Sequence, residues 1–155
     1  MAAEDRLAQL GITLPEVLKP VANYVMSKRS GSLLFLAGHV GRRDGEVVRG
    51  RFGGALSREE GNALARLTAI DILSSARASL GSLDRVTSVI KLTGFVTSDA
   101  SFTDQPFVVN GASDLFVDVF GEDAGKHARS AVGVPALPLG AALEIEAILE
   151  VRERD

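Results

Sequence analysis

The segment Leu143 to Val151 constrains this chain most. Leu143, Ile145, Ala147, Leu149 and Val151 alternate with Glu144, Glu146, Ile148 and Glu150. Side chains two apart leave a strand on the same face, so this period demands a strand with one buried face. A helix would scatter the same residues around its circumference. The other face carries Ile148 among glutamates, so it is either solvated or partly covered by another subunit.

A buried sheet face needs a cover, and two segments supply one. Ser57 followed by Glu60 is a capping box, which satisfies free amides at a helix start. Behind it Leu64, Leu67, Ile70 and Leu73 recur at helical spacing up to the stop at Leu80-Gly81. A second helix is predicted from Gln105 to Phe120, ending at Gly121, and a shorter one from Ala3 to Leu10. Strands are expected at Val21–Met26, Leu33–Val40, Val86–Val96, His127–Val134 and Ala142–Val151. Arg42 to Gly54 reads as a charged, glycine-rich loop with room for a short strand at Glu46-Val47-Val48. The order ββ(β)αβαββ gives one mixed sheet with two helices on one face, an α+β sandwich. With 155 residues and no long linker, a single domain is expected.

Composition narrows the chemistry. The chain is 46% hydrophobic but only 5% aromatic, so its core is aliphatic. Its mean hydropathy is positive, which hints at surface hidden by oligomerisation. A net charge of −3 gives no general pull toward nucleic acid phosphates, and the basic pairs Lys28-Arg29 and Arg42-Arg43 read as solvated loops. Without cysteine there is no disulfide, no thiolate nucleophile and no sulfur-ligated metal. Two separated histidines, His39 and His127, make no metal site. The glycines form no phosphate loop, and the serines form no nucleophile elbow. No signal-like run opens the chain and no segment approaches the ~20 apolar residues of a membrane span. A soluble cytoplasmic protein is the expectation.

Arg129 is the chief candidate for function. Ala128, Ser130, Val132 and Val134 share one strand face, while His127, Arg129 and Ala131 share the other. Arg129 is therefore either a surface residue or a grip for a carboxylate, which arginine holds through two parallel bonds. Glu144 on a neighbouring strand would handle protons, with Glu146 in a structural role. Asn110-Gly111 inside the second helix points to a kink or a functional placement, since that dipeptide ordinarily marks a turn.

The stretch R-S-A-V-G-V-P-A-L-P-L-G-A-A-L-E-I-E-A from Arg129 to Ala147 resembles the signature of the Rid family, the reactive intermediate deaminases formerly called YjgF, with older names in the endoribonuclease L-PSP group. The segment Leu36-Ala37-Gly38-His39-Val40, the Gly81–Phe95 connection and Val109-Asn110 extend the similarity to roughly residues 20–152. The resemblance implies a chorismate-mutase-like fold and a homotrimer with ligand sites in the clefts between subunits. A longer N-terminus, about residues 1–19, marks a divergent subgroup. The implied activity is hydrolysis of 2-imino or enamine acids to 2-keto acids and ammonia, with no metal or organic cofactor. Arg129 would bind the substrate carboxylate, Glu144 would sit near the attacking water, and Asn110 and Tyr24 would lie at the pocket. Ala37 and Gly38 would form the wall that is usually Ser-Gly, and His39 would replace a glutamine as a proton carrier. Ala131 stands where a cysteine is common. Because Ala37 and Ala131 lack a hydroxyl and a thiol, a non-catalytic metabolite-binding module is the alternative, with RNA cleavage a weaker one.

Overall fold

The computed structural model describes residues 1–152. A five-stranded mixed sheet runs in the order β1-β2-β7-β5-β6, from β1 (Ser27–Ser30), β2 (Leu33–Val40), β5 (Val86–Thr97), β6 (Ala128–Val134) and β7 (Leu143–Val151). Within this sheet β5 and β6 pair in parallel, as their connection through a helix requires, and the other neighbouring strands pair antiparallel. Two helices, α2 (Arg58–Leu80) and α3 (Gln105–Phe120), cover one face. A separate hairpin, β3 (Arg42–Arg43) with β4 (Glu46–Val47), occupies the loop where one short strand is expected.

Local chemistry sets these boundaries. Glu60 N–H donates to Ser57 Oγ at 3.1 Å and Ser57 N–H donates to Glu60 Oε2 at 2.7 Å, so the capping box starts α2. Gly81, at φ +83°, ends it in the left-handed conformation that glycine adopts without strain. Leu34, Leu92, Leu143, Ile145 and Leu149, all fully buried, meet Leu64, Ile72 and Leu73 of α2 and Val108, Val109 and Leu115 of α3 in one core. Burying each such side chain is worth roughly 1.5–3 kcal/mol.

The N-terminal extension belongs to this core. Helix α1 (Ala3–Gln9) buries Ala3 and Leu7, and Leu14 follows them. Glu4 N–H donates to Asp84 Oδ1 at 3.0 Å, while Glu4 Oε1 accepts from Leu83 N–H at 2.9 Å. The Ser74 hydroxyl donates to the Pro15 carbonyl, fixing the next stretch against α2.

The first strand lies later than expected. Residues 21–26 are irregular, with bends at 21–23 and 26, and β1 begins at Ser27. Ser30 pairs with Leu33 across a two-residue turn at Gly31-Ser32, with Gly31 at φ +58°. The turn brings the residues nearest to it into the ladder, leaving Val21, Tyr24 and Val25 exposed despite their β-prone side chains.

The face away from the helices is open within one chain. Phe35, Ile148 and Lys91 lie side by side across β2, β7 and β5, as do Val40, Glu144, Phe95 and Val132 across four strands. Phe35 and Val132 remain 41% and 42% exposed there.

Candidate functional site

Two clusters carry the expected site residues, and they lie on opposite faces of the sheet. The first is built on the edge strand β6. Arg129 stands in register with Leu92, which is fully buried, so both side chains project toward the helix layer. Its Nη1 donates to Asn110 Oδ1 at 2.7 Å and to Ser113 Oγ at 3.2 Å. Asn110 and Ser113 are three apart on α3 and therefore share one helix face. No carboxylate oxygen lies within 4.0 Å of the Arg129 guanidinium among the described residues. Partial burial draws its pKa down and the charge of Asp114 opposes this. A guanidinium stays protonated in either case.

The clamp depends on how closely α3 approaches its neighbours. Gly111 packs against α2 so tightly that a Cβ there would overlap the Asn62 carbonyl, with the carbonyl carbon 2.9 Å away. Asn62 Nδ2 also donates to the Phe107 carbonyl at 2.9 Å across the same crossing. Asn110-Gly111 is thus a close-packing position inside a continuous helix, with Asn110 turned toward Arg129. Ala131, two residues beyond Arg129, packs against the core on the same face.

The second cluster lies on the open face. The β2–β7 register shifts between Leu36 and His39, so Ala37 and Gly38 form a bulge. Glu144 lies over it, with Oε1 2.5 Å from where a Cβ on Gly38 would stand. Beside it is a hollow of about 400 Å³ whose lining includes Val25, Lys28, Phe35, Ala37, Lys91 and Glu146. Burial, and then the charge of Glu146, push the Glu144 carboxyl above its ordinary range. An acid poised in this way is suited to proton transfer.

The raised pKa has a thermodynamic signature. The folded chain holds the Glu144 proton more tightly than the unfolded chain does, so stability falls as pH rises from about the ordinary glutamate value of 4.5 through the raised one. Glu144→Gln should remove this dependence, becoming more favourable relative to wild type at pH 7 than at pH 4. Urea unfolding of both proteins at the two pH values checks it. A difference that does not change with pH would show that burial leaves Glu144 unperturbed.

Three expectations need correction. Glu144 is not on a strand next to Arg129, because β5 separates β7 from β6, and within one chain the two side chains leave opposite faces. His39 faces the core. It is 4% exposed, its Nδ1 lies 2.6 Å from the Ala37 carbonyl and its Nε2 lies 2.8 Å from Ser75 Oγ of α2. The bulge causes this, since its extra residue turns the strand's alternation by one position. Burial also pulls the His39 pKa down, the Ala37 bond opposing, so it is a core histidine with both nitrogens engaged rather than a proton carrier for a ligand. Tyr24 precedes β1, and its neighbour Val25 lines the hollow instead.

Sequence reasoning misses Ser113 altogether and assigns His127 no role. The available signals are the helical spacing from Asn110 and the shared strand face of His127 and Arg129. Among the described residues, no helix is long and apolar enough to cross a membrane.

The model of the YjgF/chorismate mutase-like, putative endoribonuclease family matches residues 4–150. Protein TCP17 of Trypanosoma cruzi is 48% identical over 146 residues, covering 94% of this chain and 91% of TCP17. The crystal structure of Atu1372, a protein of unknown function from Agrobacterium tumefaciens, superposes with a TM-score of 0.88 at 41% identity, covering 97% of this chain and 92% of that one. Escherichia coli TdcF with bound serine superposes with a TM-score of 0.56 at 25% identity, covering 90% and 94%. The extension at 1–19 therefore falls largely inside the matched region.

Proposed function

The chain belongs to the YjgF/chorismate mutase-like, putative endoribonuclease family, and we propose that it binds a small 2-imino or 2-keto acid through Arg129 and hydrolyses the imino acid. The observation that carries this reading is a half-buried guanidinium, held by Asn110 and Ser113, with no carboxylate partner among the described residues. A partly desolvated cation whose one opposing charge, Asp114, lies beyond ion-pair distance gains from a ligand that brings an anion to it. The serine bound by TdcF, an amino acid with a carboxylate, supports the ligand class. The acidic balance of the chain favours a small acid over RNA.

The Arg129 cluster and the Glu144 cluster each form half a site, and a second copy would bring the missing half. The open sheet face, with Phe35 and Val132 exposed, supports such an assembly, which we take as a homotrimer with a ligand cleft between subunits. In that cleft Arg129 of one subunit orients the carboxylate beside the Ala37–Gly38 wall and Glu144 of the next. Water adds to the C=N carbon, and Glu144 assists transfer of a proton to nitrogen. The C–N bond then breaks, leaving a 2-keto acid and ammonia. The reaction needs no metal or organic cofactor.

Ammonia release from freshly generated 2-iminopropionate tests the proposal. The wild type should exceed the uncatalysed rate, and Glu144→Gln should fall back toward it. The absence of a hydroxyl at Ala37 and of a thiol at Ala131 favours a second reading, a binding module. Thermal stabilisation by pyruvate without ammonia release above background would establish that reading. Neither stabilisation nor turnover would overturn both.

A further inference from the structure

The Arg129 clamp continues beyond its first partners. Ser113 Oγ lies 3.0 Å from His127 Nε2, and His127 Nδ1 lies 2.7 Å from the Gly125 carbonyl oxygen. The direction of these bonds follows from what each group can do. A guanidinium only donates, so Ser113 Oγ accepts from Arg129 and its own proton is free to donate. His127 Nε2 then accepts that proton, which places the ring hydrogen on Nδ1, facing the Gly125 carbonyl. Every member is satisfied in one consistent sense from the backbone to the guanidinium.

The far end of this chain is fixed. The His127 ring stands edge-on to Phe116, with centroids 6.1 Å apart at 89°. Gly125 is buried against α3, and a Cβ there would come within 2.6 Å of the Phe116 carbonyl oxygen. Both partners of Arg129 engage Nη1, which has two hydrogens. The edge formed by Nε and Nη2 therefore remains for two parallel bonds to a carboxylate.

We infer that Ser113 and His127 are positioning residues for Arg129, locking Nη1 so that the Nε–Nη2 edge is presented to the ligand's carboxylate. The inference rests on the reading of Arg129 as the ligand grip. Burial, ahead of the positive charge on Arg129, pulls the His127 pKa below the usual range and the Gly125 bond opposes this, so the neutral ring that the relay needs is the form favoured near neutrality.

Pyruvate binding by calorimetry and NMR of the ligand-free protein test it together. Ser113→Ala should raise the pyruvate Kd about tenfold, the scale of one lost bond to a charged group. Ser113→Thr, which keeps the hydroxyl, should restore most of the affinity. His127→Phe keeps a ring against Phe116 and removes both nitrogens, and it should weaken binding in the same direction by about threefold. Without ligand, 15N spectra should show His127 protonated on Nδ1 at pH 7, and Arg129 Nε–H should exchange faster with water in Ser113→Ala and His127→Phe than in wild type. If wild type does not bind pyruvate, the grip reading fails while the NMR still decides the relay. Unchanged Arg129 exchange in both folded variants, or His127 protonated on Nε2, would overturn the positioning role.

Discussion

Arg129→Ala should weaken pyruvate binding by on the order of a hundredfold, and Arg129→Lys should recover little of that loss. Truncating one partner of a desolvated charged pair costs about 2–5 kcal/mol, and each 1.4 kcal/mol is about tenfold in Kd. Lysine keeps the charge but has three donors on one nitrogen and no planar fork. It cannot reach Asn110 and Ser113 and also make two parallel bonds to a carboxylate. Stability should change little in Arg129→Ala, because the side chain is only partly buried, has no ion pair among the described residues and sits on an edge strand. Calorimetric titration with pyruvate alongside urea unfolding separates the two outcomes. Unfolding of Arg129→Ala with unchanged affinity would make Arg129 a structural residue.

Much of the fold is legible in the sequence because its strongest elements are set locally. The capping box at Ser57 and the glycine at Gly81 bracket α2, and the alternation from Leu143 to Val151 identifies β7 and its buried face. Helix α3 also spans Gln105–Phe120 as its pattern predicts. What could not be read depends on pairing between distant segments. Val21 and Val25 have strand-forming side chains, yet the turn at Gly31 selects Ser27–Ser30 for the ladder. Strict alternation would put His39 outward, and one extra residue at Ala37–Gly38 turns it inward. Consecutive strands β6 and β7 are not neighbours, which is why Arg129 and Glu144 do not converge in one chain. Asn-Gly inside a predicted helix leaves a kink and a functional placement both open for Asn110, and its contact with Arg129 depends on how α3 packs against β6. Ser113 carries no sequence signal beyond its spacing from Asn110.

Gly111→Ala should destabilise the protein by about 2 kcal/mol or more, although helix propensity alone points the other way. Alanine in place of glycine inside a helix ordinarily contributes about 1 kcal/mol of stability. Here the new methyl would meet the backbone of α2, where the Asn62 carbonyl carbon is 2.9 Å and the Arg66 nitrogen 3.2 Å from its position. Backbone atoms cannot rotate aside as a side chain can. The helices must part, and Val108, Val109, Ala112 and Leu115 around the contact are fully buried. Overpacking of such a core costs roughly 1–3 kcal/mol and sometimes more, enough to outweigh the propensity gain. Urea unfolding gives the sign directly, and a more stable variant would mean that the two helices are not in close contact. The same displacement carries Asn110 and Ser113 with α3 away from β6, so pyruvate affinity should fall in any fraction that remains folded. Gly61→Ala makes the control, because its methyl would meet the Phe52 ring and Val108 side chain rather than backbone. It should lose stability at the helix layer while leaving the Arg129 clamp, and hence the affinity, nearly unchanged. Fold and site therefore share one determinant at Gly111, where the absence of a side chain sets how near Asn110 comes to Arg129.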